Sequence, residues 1–221
     1  YIEKILLDSN SLNSGTELPQ PTYDEFKKNR PAWTTSIRRG LEYILFRVGL
    51  YLGKKLSISQ LQKLGQGIGS FAYRVLRKDR GIVIKQLKLI FPELSNEKLE
   101  QWTRECFRHF GQMLFEFLCL PQIINDQENL IRVENEDALT NAVNAGKGVI
   151  LLGMHMGNWE LITAYAKRKG LFMTAATANS PDQRINQLMI RQRKHGNMEI
   201  MPRGTGMSSR KLFRCLKNKN R

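Results

Sequence analysis

His155 and Glu160 lie five positions apart in Gly153-Met-His-Met-Gly-Asn-Trp-Glu160. A histidine can take a proton near neutral pH, and a carboxylate beside it can fix its tautomer and stabilise the imidazolium that results. Gly157 between them lets the chain turn and approach a ligand closely. Asn158 is a candidate substrate contact. The segment holds no Ser or Cys, and no GxSxG occurs in the chain. A base without a protein nucleophile implies that the nucleophile belongs to the substrate, as a hydroxyl that His155 would activate. Alone, the pair also fits a structural histidine. A zinc site is disfavoured, because HExxH is absent and His195 lies far along the chain. No metal ligands are therefore assigned.

These residues need a scaffold. The run Gly148-Val-Ile-Leu-Leu-Gly153 is continuously apolar and bounded by glycines, the pattern of a buried parallel strand. It would place His155 beyond a strand's carboxyl end, where sites gather in open α/β sheets. Ile131–Glu134 reads as a short strand and Glu136–Ala145 as a helix closed by Gly146. Downstream, a helix over 159–169, a strand near 171–176, a helix over 185–194, a strand at 198–201 and a helix over 208–216 alternate. Such alternation implies an α/β fold with a mostly parallel sheet flanked by helices.

The preceding part differs. Residues 1–36 are polar and turn-rich, and read as an arm or linker. Residues 37–130 read as a helical region. Leu41, Ile44, Leu45, Val48 and Leu52 recur at helical spacing between Arg38-Arg39 and Lys54-Lys55. The run is shorter than a spanning helix needs and contains Glu42 and Arg47. A helix over 41–56 lying in a membrane interface fits it, as does a buried amphipathic helix. Gly65-Gln-Gly-Ile-Gly69 lacks the spacing of a phosphate loop and no strand precedes it. It reads instead as small residues on one helix face that permit close packing. Ser95 is placed to cap a helix over 97–120, which Pro121 ends. The α/β part is assigned to 131–221.

The 221 residues carry a formal charge of +15. The excess is uneven: residues 167–221 hold 14 basic and 2 acidic side chains, a net of +12. Such a surface seeks polyanions: an anionic membrane face, a phosphorylated substrate or nucleic acid. The same region offers only Phe172 and Phe213 as aromatics, a poor platform for stacking bases. A nucleic-acid-binding α/β module is therefore the remote alternative. With 41% hydrophobic residues the chain can build a core, which excludes wholesale disorder. Three widely spaced cysteines without CxxC form no disulfide framework and no zinc ribbon.

As a whole string, Gly148-Val-Ile-Leu-Leu-Gly-Met-His-Met-Gly-Asn-Trp-Glu160 resembles the HX4(D/E) block of the lysophospholipid acyltransferase superfamily. It is most similar to the lipid A biosynthesis branch, the lauroyl/myristoyl acyltransferases, whose motif commonly reads H-x-G-N-W-E. Upstream, Phe91-Pro-Glu-Leu94, Phe110-Gly111, Glu116 and Gly146-Lys-Gly148 follow the family's pattern. Downstream, Asn179-Ser-Pro181, Arg191-Gln-Arg193 and Gly196 do so. The resemblance covers roughly residues 40–221.

The resemblance implies that His155 is the general base and Glu160 its orienting partner. It implies transfer of a fatty acyl group from acyl carrier protein or acyl-CoA to a hydroxyl of an anionic glycolipid, a lipid A precursor. A lysophospholipid or a phosphoinositide mannoside is the alternative acceptor. No bound cofactor is implied, and the setting would be the cytoplasmic face of a bacterial inner membrane. Arg203, in Met201-Pro-Arg-Gly204, falls where a phosphate-contacting arginine belongs, and Arg191 is a second candidate. Two departures stand out. Many relatives carry an arginine where this chain reads Ala175-Ala-Thr-Ala178. The family also continues past the point where this chain stops, so the C-terminal part of the fold is expected to be missing.

Overall fold

A computed structural model describes residues 32–126, 130–202 and Arg214. The chain divides into two compact units, residues 1–40 and 41–221. Helix α1, Ala32–Lys55, starts directly after Pro31 in the sequence, so the last residues of the expected polar arm are helical. The rest of the arm lies outside the described residues. The helices and strands that position the motif belong to the second unit, from Leu41 onward.

Helix α2 (Ile58–Val75) begins at a capping box. Ser57 accepts from the Gln60 N–H, and the Gln60 side chain accepts in return from the Ser57 N–H at 2.9 Å. Helix α3 (Arg77–Ile90) follows after a break at Leu76. Helix α4 (Asn96–Leu118) starts where expected, with Ser95 accepting from the Lys98 N–H. α2 and α4 pack as a close pair. Gly65 and Gly69 on α2 face Gly111 and the Phe107 carbonyl on α4, and a Cβ on any of these glycines would meet backbone. The Gly-Gln-Gly-Ile-Gly run is thus a packing surface.

Residues 41–55 of α1 lie against the end of this pair. Phe46 packs on Phe117, with ring centroids 6.5 Å apart. Gly49 and Gly53 admit Leu118. Helix α5 (Leu120–Asn125) carries Pro121 in its first turn, and its Gln122 amide donates to the carbonyls of Gly53 (2.5 Å) and Leu56 (3.3 Å). The core centres on Leu61, Phe115, Leu118, Leu120, Ile123 and Ala164.

Helix α6 (Glu136–Asn144) ends, as expected, at Gly146 with φ +64°. Helix α7 (Leu161–Arg168) leads to β1 (Met173–Thr177), helix α8 (Gln183–His195) and β2 (Met198–Pro202). β1 and β2 pair in parallel, Met173 opposite Met198 through Thr177 opposite Pro202. This is one βαβ unit with α8 as its crossover. The expected helix over 208–216 lies almost wholly outside the described residues.

The expected mostly parallel sheet needs correction. Among the described residues there are eight helices and one two-stranded parallel sheet. Ile131–Glu134 and Gly148–Gly153 form neither helix nor strand. A parallel strand needs a neighbour for its N–H and C=O groups. The 148–153 run has none here, and Ile150 and Leu152 stand 78% and 99% exposed. No described helix is long and apolar enough to cross a membrane.

Candidate active site

The motif loop joins the 148–153 run to α7. Gly157 adopts φ +60° with open space around it, so glycine serves the backbone conformation there rather than close packing. His155 is exposed, and its ring lies 4.7 Å from that of Trp159, tilted by 50°. Its imidazole is open to an incoming hydroxyl. Glu160, just before α7, is buried.

The Glu160 carboxylate is held by α8. Arg193 of α8 grips its carboxylate with two prongs, Nε to Oε2 at 3.0 Å and Nη2 to Oε1 at 2.5 Å. Both side chains are largely buried, and the guanidinium lies 5.7 Å from the centre of the Phe117 ring. Next to Arg193, Gln192 donates to the Leu118 carbonyl at 2.8 Å, which fixes α8 against the end of α4. Among the described residues, no hydrogen bond joins Glu160 to His155.

A second buried carboxylate stands behind the loop. Glu116 Oε1 accepts from Gln62 (2.8 Å) and Gln112 (2.7 Å), and Oε2 accepts from Asn158 Nδ2 (2.7 Å). The other end of the Asn158 amide accepts from the Glu160 N–H at 3.2 Å. Asn158, expected on the substrate side, thus has both ends of its amide engaged by the protein. Gln66 and Arg108 extend the network along α2 and α4.

Cys119 lies beside Glu116. Burial, with the charge of Glu116 adding to it, pushes its thiol up to about 12, so it stays protonated and is no nucleophile at neutral pH. Cys106 is also shifted upward, by burial and then by Glu105. Among the described residues, no group of His, Cys, Asp and Glu is placed to hold a metal ion.

Of the two candidate arginines, Arg191 is exposed on α8 and Arg203 lies outside the described residues. The arginine brought to the motif is Arg193. The family model for bacterial lipid A biosynthesis acyltransferases matches residues 33–220.

The chain belongs to that family.

It is 32% identical over 114 residues to the lipid A biosynthesis palmitoleoyltransferase of Escherichia coli K12, and equally to a lipid A biosynthesis acyltransferase of Shigella flexneri. Each match covers 51% of this chain but 37% of the relative's length. The lipid A acyltransferase family match takes in the motif loop, Glu116 on α4 and Arg193 on α8. The resemblance on residues 40–221 is thereby confirmed at the level of the family.

Proposed function

We propose that this chain transfers a fatty acyl group from a thioester, carried on acyl carrier protein or coenzyme A, to a hydroxyl of a lipid A precursor. His155 takes the proton of the acceptor hydroxyl. The alkoxide attacks the thioester carbonyl, and the tetrahedral adduct collapses to the ester. The departing thiolate takes the proton back from the imidazolium, so His155 is regenerated. Glu160 is the partner carboxylate. A carboxylate has about four acceptor positions, so Glu160 can hold Arg193 and still accept from the imidazole.

The observation that carries this reading is an exposed imidazole on a loop tied down at Asn158 and Glu160, inside the stretch that matches the family. The charge supports it, since an anionic glycolipid and an acidic carrier are both drawn to a basic surface. Within α1, Leu41, Ile44, Leu45, Val48 and Tyr51 form an exposed apolar face suited to a membrane interface. We place the reaction at the cytoplasmic face of a bacterial inner membrane, with Arg191 and Arg203 available to the acceptor's phosphates.

The test is His155→Ala, assayed with acyl carrier protein and coenzyme A thioesters and a lipid A precursor. Loss of a positioned base costs ~10²–10⁴-fold in rate. Because the side chain is exposed, circular dichroism and the melting temperature should stay at their wild-type values. A folded His155→Ala protein with full activity overturns the mechanism.

A further inference from the structure

We propose that Glu116, on α4, is a positioning residue that holds the His155 loop in place through Asn158. This rests on the acyl-transfer reading for its kinetic consequence, but not for its structural one. Glu116 is buried and faces three amide N–H donors: Gln62, Gln112 and Asn158. No cation in these bonds balances its charge. Burying a carboxylate without a counter-ion is costly, and a carboxylate is the side chain whose two oxygens both accept. That accepting capacity is what the site uses. Oε1 satisfies α2 and α4, leaving Oε2 to reach across to the loop.

The bond to Asn158 fixes more than one side chain. With Nδ2 spent on Glu116, Oδ1 must face the Glu160 N–H, which it does at 3.2 Å. Asn158 therefore ties the backbone at the head of α7 to α4. His155 precedes it by three residues, and its ring rests on Trp159, the next residue. α4 is itself held by the glycine contact with α2, so Glu116 presents a rigid point from which the base is placed.

The donor and acceptor roles at this contact can be exchanged. In Glu116→Gln, the amide oxygen still accepts from Gln62 and Gln112, but an NH2 group now opposes the NH2 of Asn158. In Asn158→Asp, two carboxylates oppose each other. In the double variant, the amide introduced at position 116 donates to the carboxylate introduced at position 158. The other oxygen of that carboxylate still accepts from the Glu160 N–H. Two measurements track the exchange. One is the His155 ring signal by nuclear magnetic resonance, assigned with His155→Ala, which reports the Trp159 ring current without any substrate. The other is the kcat of acyl transfer.

Each single variant should move the His155 signal and lower kcat, by up to ~10²-fold if the base shifts by about 1 Å. The double variant should restore the signal and bring kcat back to within about threefold of wild type. An unchanged His155 signal in both single variants overturns the proposal. So does a double variant no better than the singles, including one that fails to fold as they do. If the variants show this loss and recovery of the His155 signal but the wild-type chain shows no acyl transfer, the positioning role stands and the proposed reaction falls.

Discussion

Arg193 and Glu160, 33 residues apart, meet as a two-pronged ion pair between α8 and the head of α7. Their side chains are 13% and 10% exposed. Water does little to replace either partner at such a site. Removing one member of a buried pair leaves an uncompensated charge, at a cost of about 3–5 kcal/mol. Arg193→Ala should therefore destabilise the chain by an amount approaching that range, read as a lower urea midpoint. Arg193→Lys keeps the charge but loses the fork and the face-on contact with Phe117, so it should fall between. A wild-type midpoint for Arg193→Ala would show that the pair contributes nothing.

The α2–α4 contact makes opposite predictions for two glycines of one helix. A Cβ at Gly65 would run into the backbone of Gly111 and Gln112, whereas one at Gly67 meets nothing within 4 Å. Gly65→Ala must push two helices apart, at a cost of ~1–3 kcal/mol or more. Gly67→Ala removes only the glycine penalty in a helix and should stabilise by up to about 1 kcal/mol. Thermal melts of the two variants check both signs at once.

Acid should loosen the start of α8. Asp182 caps that helix, accepting from the Arg184 N–H and from its guanidinium. The Arg184 side chain is the main cause that holds the Asp182 carboxyl down to about 2. Its folded value lies below the ordinary carboxylate range near 4, so its contribution to stability is full above about pH 4. That contribution is lost as pH falls towards 2. Asp182→Asn should be less stable than wild type at pH 5, and the gap should close by pH 2. A gap that is constant across this range would contradict the assignment.

The exposed face of α1 predicts membrane binding that depends on apolar contact. Ile44 and Leu45 are each more than half exposed. Burying one such side chain is worth about 1.5–3 kcal/mol, and 1.4 kcal/mol is a factor of ten in binding. Ile44→Asp with Leu45→Asp should cut flotation with phosphatidylglycerol-containing vesicles by tenfold or more, without altering the fold. Equal flotation of variant and wild type would leave the basic residues as the whole of any attraction.

The helices were largely legible because their signals are local. Ser95 marks a start that the chain uses, and the small-residue face of α2 was readable from Gly65 and Gly69 alone, whereas Pro121, expected to end a helix over 97–120, lies in the first turn of α5 after α4 has ended at Leu118. The β1–α8–β2 unit was legible for the same reason. The sheet expected around Gly148–Gly153 was not, since an apolar run states a need for burial without naming a ladder partner. At the site, His155 and Glu160 stand out by spacing, but their supports do not. Arg191 and Arg193, two positions apart, point to opposite sides of α8, and their identity alone says nothing of which turns inward. Glu116 did leave a trace, as a carboxylate set between buried Phe115 and Phe117, where a charge requires partners.

The bonds that frame the motif also set an order of events during synthesis. Asn158 finds its partner 42 residues behind it, on a helix translated earlier. Glu160 must wait for a guanidinium that is translated 33 residues later. A nascent chain therefore carries the motif anchored on one side only until α8 emerges. Gln192, whose own bond to the Leu118 carbonyl spans 74 residues, immediately precedes Arg193 in the chain. The last turns of α8 are thus the point in translation at which the loop bearing His155 gains its second anchor.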